Sequence, residues 1–163
     1  MKPLSVLAAV AFVFGASVPA FALGSSDASF VQTAQRDALG NYALAALARG
    51  KAQEPSAKAL AAQLLTDASQ ASRFVKSFAS AHGLKLDGKP ALRADNQYAN
   101  ISSSSGKNFD KAFANAIHID ANVSLYTYQQ EAAHGSDPAL RSFAKHQVEV
   151  LRHVAAAAKK LSR

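Results

Sequence analysis

Two aspartates and a histidine of this sequence are candidates for metal or proton chemistry. Asp67 and Asp120 fall on the apolar stripes of two predicted helices, and His153 lies in a third. Because an unpaired buried carboxylate is costly, each aspartate needs a partner or water. The three could form a metal or proton site, or each aspartate could pair with a nearby Lys, Arg, Ser or Tyr. A di-iron bundle uses about six ligands, so we favour the structural pairing and expect neither a metal nor a cofactor.

The other polar motifs supply no catalytic constellation. His146, Glu149 and His153 occupy neighbouring turns of one helix, a spacing that can bind zinc or copper weakly but is typical of a solvated face. The serine run 102–105 lacks a Gly-x-Ser-x-Gly elbow and is predicted to be a flexible loop. The absence of Cys excludes a disulfide framework, a Cys-ligated zinc site and a thiol nucleophile. We therefore expect no enzymatic activity.

Four long helices are predicted to position these side chains. No segment alternates with the period of a strand, and apolar residues recur instead every three or four positions. Tyr128 flanks the third helix's stripe and is predicted to be core, with its hydroxyl reaching the surface. The predicted helices cover about residues 27–49, 55–82, 107–134 and 137–161. The inward stripes of the second and third helices are Leu60, Leu64, Asp67, Ala71, Phe74 and Phe78, and Phe109, Phe113, Ala116, Asp120, Val123 and Thr127.

The helix ends and connections indicate how the helices are arranged. Ser26 or Asp27 is predicted to cap the first helix, and Asp137 followed by Pro138 to start the fourth. Gly50 is predicted to end the first. The short connections make helices one and two an antiparallel hairpin, and helices three and four another. This arrangement predicts an all-α, antiparallel four-helix bundle.

A long connection, residues 84–106, is predicted to link the two hairpins and to contain a short helix near residues 90–98. The hairpins also show a faint repeat. One constant offset between them aligns Phe30 with Phe113 and Asp37 with Asp120. So few identities also arise by chance, but a true repeat would describe two similar hairpins.

Residues 1–22 have the pattern of a secretory signal peptide. Lys2 precedes the apolar run 4–14, and Ala20-Phe21-Ala22 is a small-x-small cleavage site. The predicted mature chain is one domain, residues 23–163, and removal of Lys2 lowers its formal net charge from +7 to +6. Apart from the adjacent Lys159 and Lys160, its basic residues stand singly and form no run, which disfavours nucleic-acid binding. Weak attraction to anionic lipid headgroups or to lipopolysaccharide is the remaining consequence of the positive charge.

The mature chain resembles the bacterial exported domain-of-unknown-function family 4142, whose members are described as predicted outer-membrane, ferritin-like proteins. The resemblance extends over the whole mature chain and is most specific at the third helix's start and at the last hairpin. The matching residues are Phe30-Val31, Leu44, Leu47-Ala48, Leu65-Thr66-Asp67, Gly106, Phe109-Asp110, Glu131-Ala132-Ala133, Gly135, Asp137-Pro138, Phe143-Ala144 and Leu151-Arg152-His153.

The resemblance implies a ferritin-like bundle and inward groups that could bind metal. The family pattern usually has a Glu in the first helix, an Asp-His pair in each of the next two and a His in the fourth. In this sequence the first position is Asn41, and the pairs have Ala68 and Ala121 in place of His. Of the implied ligands, only Asp67, Asp120 and His153 are present.

These observations predict an exported protein of the periplasm or outer membrane. The function expected first is a non-enzymatic binding or interaction module, acting in stress tolerance and recognising an envelope protein partner. The alternative is a ferritin-like metal-binding or redox protein with an incomplete ligand set. A weaker third hypothesis is peripheral contact with a membrane. The oligomeric state stays open, because alanine-rich helix faces permit close packing within or between monomers.

Overall fold

The computed structural model of the protein describes residues 23–163, and within that range every regular element is an α-helix. The predicted signal peptide, residues 1–22, lies outside the described residues. None of the helices in 23–163 has the length and hydropathy of a membrane span. The helices are α1 (Ser25–Lys51), α2 (Pro55–Ala81), α3 (Leu92–Ser102), α4 (Gly106–His134) and α5 (Pro138–Leu161).

The four long helices pack as two hairpins, as the sequence predicts. α1 packs along α2 and α4 along α5, and the hairpins meet where α1 contacts α4 and α2 contacts α5. Each hairpin has a short connection, residues 52–54 in the first and 135–137 in the second. The all-α class is thus confirmed, but the described chain has five helices rather than four.

The connection between the hairpins is more helical than predicted. α3 begins at Leu92 and ends at Ser102, so it extends beyond residues 90–98 and includes the first serine of the expected loop. It packs on α1 and α4 and buries Ala94 and Ile101 against them. These residues lie two turns apart on one helix face, and the burial of Ile101 holds the last turn in place.

Aromatic side chains form much of the core. At one end of the bundle, the Phe30 ring meets Tyr128 edge-on at 5.1 Å between centroids, and Phe74 stacks on Phe143 at 4.3 Å. At the other end the core contains Phe109, which is fully buried. Such contacts add about 0.5–1.5 kcal/mol per pair to the hydrophobic gain.

The inward stripe of α4 differs from the predicted one in its second half. Val123 is 51% exposed, whereas Ser124 and Tyr128 are buried. The buried residues Asp120, Ser124 and Tyr128 follow one another at every fourth position, where the prediction alternates steps of four and three. The reason is that a straight α-helix has about 3.6 residues per turn and drifts away from a strict heptad repeat.

The helix ends confirm one predicted cap and correct two other predictions. Asp137 accepts hydrogen bonds from two N–H groups in the first turn of α5, at 2.7 and 3.1 Å. The cap predicted for the first helix is wrong, because α1 begins at Ser25 and has no side-chain cap. The stop predicted at Gly50 is also wrong, since α1 continues to Lys51.

Asp27 and its counterpart Asp110 instead bind the connection of the opposite hairpin. Asp27 accepts hydrogen bonds from the N–H groups of residues 136 and 137, at 3.0 and 2.9 Å. Asp110 accepts them from the N–H groups of residues 53 and 54, at 3.2 and 2.8 Å. The sequence offset between Asp27 and Asp110 equals the offset between the two donor pairs, residues 53–54 and 136–137. The same offset aligns Phe30 with Phe113. Each hairpin therefore binds the connection of the other through one aspartate, and we call each of these two sets of hydrogen bonds a clasp. Their equivalence supports the repeat seen in the sequence.

Close approach of α3 to α1 depends on Gly40. A Cβ atom placed there would lie 2.5 Å from the Cβ atom of Ala94. Two helices can approach this closely only where one residue has no side chain. Gly40 thus sets the depth at which α3 sits on the bundle.

Replacing Gly40 with alanine is expected to destabilise the protein by about 1–3 kcal/mol, because the added methyl overpacks the α1–α3 contact. The matched control is Gly50→Ala, where a Cβ meets nothing within 4 Å and the gain in helix propensity is expected to stabilise by about 0.5–1 kcal/mol. Urea denaturation measures both. Equal effects of the two substitutions would contradict the assigned role of Gly40.

Candidate functional site

A buried ion cluster lies beneath α3. The Arg93 guanidinium, which projects from α3, forms an ion pair with Asp120 on α4 and lies 4.0 Å from a carboxylate oxygen of Asp37 on α1. The Ser124 hydroxyl donates a 2.8 Å hydrogen bond to Asp37. Asp37 and Asp120 are the pair aligned by the repeat, so α3 supplies one cation to two equivalent carboxylates.

The environment of this cluster opposes ionisation of its carboxyls. Burial raises the pKa of Asp37 and of Asp120 above the ordinary value of 3.8, and Arg93 partly offsets the rise. A cation between two carboxylates relieves their mutual repulsion. Arg93 takes the position that a bound cation would need, and we assign the cluster a structural role.

A small cavity lies next to the cluster, inside the bundle. Its volume is about 30 Å³, enough for one water molecule. Tyr128 is 4% exposed, which confirms that it belongs to the core, and burial raises its pKa well above 10.0. Helices α1, α2, α4 and α5 all contribute polar lining groups, namely Asp37, Asn41, Asp67, Ser124, Tyr128 and Gln147.

The cavity also brings together positions singled out by the family resemblance. Asn41, Ala68 and Ala121, where this chain departs from the family pattern, all line it together with Asp67. Four of the six implied ligand positions thus meet at this cavity, whereas Asp120 and His153 do not line it. In this chain the cavity wall has carboxylates, amides and hydroxyls but no imidazole.

The three predicted site residues do not come together. Asp120 is buried under α3, whereas Asp67 borders the cavity from α2 and accepts a 2.8 Å hydrogen bond from Gln63. His153 is exposed on α5. Among residues 23–163, no three His, Asp or Glu side chains are close enough to hold a metal ion.

Asp67 and His153 do share a surface groove between α2 and α5. The groove has a volume of about 970 Å³, and all its lining residues belong to these two helices. Leu60, Val150 and Val154 contribute to its apolar wall, and polar groups stand among them. Grooves of this size that are mainly apolar with a few polar groups are typical of ligand sites. The groove is therefore the candidate functional site.

A second group of titratable side chains surrounds the α4–α5 connection. The Glu131 carboxyl is buried, and its Oε1 atom has no hydrogen-bond partner. Burial, with Asp27 and Asp137 nearby, raises its pKa from 4.5 to about 7, and Arg141 opposes the rise. The repeat places Ala48 at the equivalent position of the other hairpin. The α1–α2 hairpin therefore has no carboxyl equivalent to that of Glu131.

Replacing Glu131 with glutamine is expected to stabilise the protein at pH 8 by about 1–2 kcal/mol, after allowance for solvent screening of the shift. The folded-state pKa is raised, so the native protein loses stability as the pH rises from about 4.5 through about 7. The Glu131→Gln variant should not lose stability over this pH range, and its stability should equal that of the wild type at pH 4.5. Thermal unfolding across this range measures the difference.

The control for this pH profile is Glu149→Gln, which removes an exposed carboxylate that accepts a 2.7 Å hydrogen bond from Arg152. Its effect should stay below about 1 kcal/mol at every pH. Parallel profiles for wild type and Glu131→Gln would show that Glu131 titrates normally.

Sequence reasoning did not identify Arg93, Asp37 or Glu131 as site residues. The offset between the hairpins was the available signal for Asp37, since it aligns that residue with Asp120. Nothing local indicates that Arg93, 27 positions before Asp120, lies against it. That contact depends on where α3 docks.

Comparisons with known proteins place the chain in a family. In a solved structure described as a DUF305 fragment from Deinococcus radiodurans, 97% of that chain matches 86% of this one with a TM-score of 0.76. The two are 13% identical, so this likeness concerns the fold alone. No protein with a curated description matches the sequence. The model of DUF4142, a domain of unknown function, matches residues 15–161, and the chain belongs to that family.

Proposed function

We propose that this protein is an exported, non-enzymatic binding module of the cell envelope, and that its binding surface is the α2–α5 groove. The signal-peptide pattern of residues 1–22 supports export. The four long helices support a ferritin-like arrangement in which α3 is an addition to the bundle. The buried carboxylates Asp27, Asp110 and Asp120 are held by structural partners, and the groove offers an open surface to a ligand.

The groove is the observation that supports a binding role. Its lining combines aliphatic side chains with Gln63, Asp67, His153 and Lys160. The apolar wall gains free energy when it is covered, at about 25 cal/mol per Å². Isolated polar groups within such a wall fix the orientation of a ligand.

The second candidate is a ferritin-like metal or redox protein, and four of the six implied ligand positions, those of residues 41, 67, 68 and 121, line the internal cavity. Asp37 and Asp67 are the carboxylates lining that cavity, fewer than the roughly six ligands of a di-iron site. Metal content decides this alternative. Ions retained by untagged mature protein and lost on Asp67→Asn would establish it.

Photo-crosslinking in the native host tests the binding role. A benzoylphenylalanine is placed at Ala157, an exposed residue of the groove, and in a matched strain at Ala46, which is exposed on α1. We expect a discrete adduct from position 157 and none from position 46. Replacing Ala59, on the opposite wall, with glutamate should abolish the adduct.

Fractionation of the same cells tests export. The processed protein should begin at Leu23 and should be found outside the cytoplasm. Unprocessed cytoplasmic protein, or equal crosslinking from both positions, would overturn the proposal.

A further inference from the structure

The positive charge of the protein is concentrated on the two helices that border the groove. Helices α1, α3 and α4 together contain six Lys or Arg residues and six carboxylates, so they are neutral as a group. Helices α2 and α5 contain only two carboxylates, Asp67 and Glu149. Their basic residues are Lys58, Arg73, Lys76, Arg141, Lys145, Arg152, Lys159 and Lys160.

The outer face of α5 presents this charge to solvent. Lys145, Arg152, Lys159 and Lys160 are all exposed. Glu149, the carboxylate of this helix, is bound to Arg152 at 2.7 Å. Lys160 also lines the groove, together with His153. Cationic side chains therefore stand directly beside the apolar wall.

An anionic amphiphile complements both the cationic side chains and the apolar wall of this surface. We propose that the α2–α5 groove takes an acyl chain of an anionic lipid at a membrane surface, while Lys159 and Lys160 bind the lipid phosphate. The inference rests on the binding role proposed for the groove and names its ligand class. The groove volume of about 970 Å³ lies within the range of pockets for single small ligands.

The side of the bundle opposite the groove indicates which face of the protein would approach a membrane. There α3 covers α1 and α4, and the Arg93 charge is engaged by Asp37 and Asp120. A membrane with a negative surface attracts basic side chains within about one Debye length. The protein should therefore approach an anionic bilayer with α5 and the groove foremost.

Vesicle co-sedimentation of the mature chain, residues 23–163, tests the inference. We expect binding to phosphatidylglycerol-containing vesicles in about 0.1 M salt, release in about 0.5 M salt, and no binding to pure phosphatidylcholine. Neutralising Lys159 and Lys160 to glutamine should weaken binding roughly tenfold or more. The matched control neutralises Lys85 and Lys89, two exposed residues of the α2–α3 connection, which is bonded to the N-terminal part of α1 through Gln32.

A second pair of variants tests the groove apart from the charge of α5. Ala157→Glu places a carboxylate in the groove, and Ala46→Glu makes the same change on α1, both at exposed positions. Only Ala157→Glu is expected to prevent stable vesicle binding. Circular dichroism establishes that each variant is folded. Equal losses within either pair would overturn the inference, because they would indicate diffuse electrostatic attraction.

The crosslinking experiment separates this inference from the binding role itself. A lipid adduct from position 157, identified by mass spectrometry, supports both. A protein adduct alone would keep the binding role and overturn the lipid inference. Absence of any groove adduct would overturn the binding role, and failure to bind anionic vesicles would independently overturn the lipid inference.

Discussion

Replacing Asp110 with alanine is expected to lower the free energy of unfolding by about 2–4 kcal/mol, because its buried carboxylate accepts hydrogen bonds from the N–H groups of Gln53 and Glu54. Removing it leaves two donors of a tight connection without their acceptor. A fully buried donor would cost about 1–3 kcal/mol, and the cost per donor is lower here because Gln53 is exposed and Glu54 is half-buried. Urea denaturation of the mature chain measures the loss.

The clasp at the other end of the bundle provides an internal comparison. Asp27→Ala is expected to have a similar effect, since it leaves the N–H groups of residues 136 and 137 without their acceptor. Asp95→Ala, at an exposed residue of α3, controls for loss of a negative charge near a helix N-terminus and should change stability by less than about 1 kcal/mol. Should Asp110→Ala and Asp95→Ala behave alike, the clasp would have no energetic role.

Replacing Arg93 with methionine is expected to destabilise the protein by about 2–3 kcal/mol at pH 7. Loss of the guanidinium leaves Asp37 and Asp120 near each other without a compensating cation. Breaking a fully buried pair costs about 3–5 kcal/mol, and the loss is smaller here because the Arg93 side chain is 35% exposed. The control, Arg36→Met, breaks the exposed pair with Asp87 and should change stability by less than about 1 kcal/mol.

The pH dependence of the Arg93 variant distinguishes charge from packing. The folded-state pKa values of Asp37 and Asp120 are already raised, and removing the cation raises them further. A raised pKa makes stability fall as the pH rises through it. The deficit of Arg93→Met should therefore be largest at neutral pH and should shrink as the pH falls towards the ordinary value of 3.8.

A second substitution completes this test. Adding Asp120→Asn to Arg93→Met should recover part of the lost stability at neutral pH, because one of the two uncompensated charges is gone. A deficit that is independent of pH and of Asp120 would indicate that Arg93 acts through packing alone.

The long helices were predictable because their signals are local. The apolar spacing of Leu60, Leu64 and Ala71 predicts α2 correctly, and the cap at Asp137 was identified from its type and its following proline. The offset between the two hairpins contained more information than its few identities suggested. The reciprocal clasps of Asp27 and Asp110 are its structural consequence.

The metal hypothesis shows where local reasoning ends. Asp67, Asp120 and His153 were grouped because they are the ligands implied by the family resemblance that this sequence retains. In the structure Asp67 borders the cavity, Asp120 is buried under α3 and His153 faces solvent. Their grouping required the relative rotation and height of three helices. Periodicity states which face of a helix is buried but not which residue of a neighbouring helix it meets.

The sequence by itself determined the helices, their hairpin order and the absence of cysteine chemistry, since each of these depends on residue type and near-neighbour spacing. Only the tertiary structure decided that α3 covers α1 and α4, that Arg93 serves two carboxylates, and that the excess positive charge lies beside an open groove. The physical reason is that pairing, burial and surface charge depend on contacts between residues far apart in the chain, which form only when the helices pack.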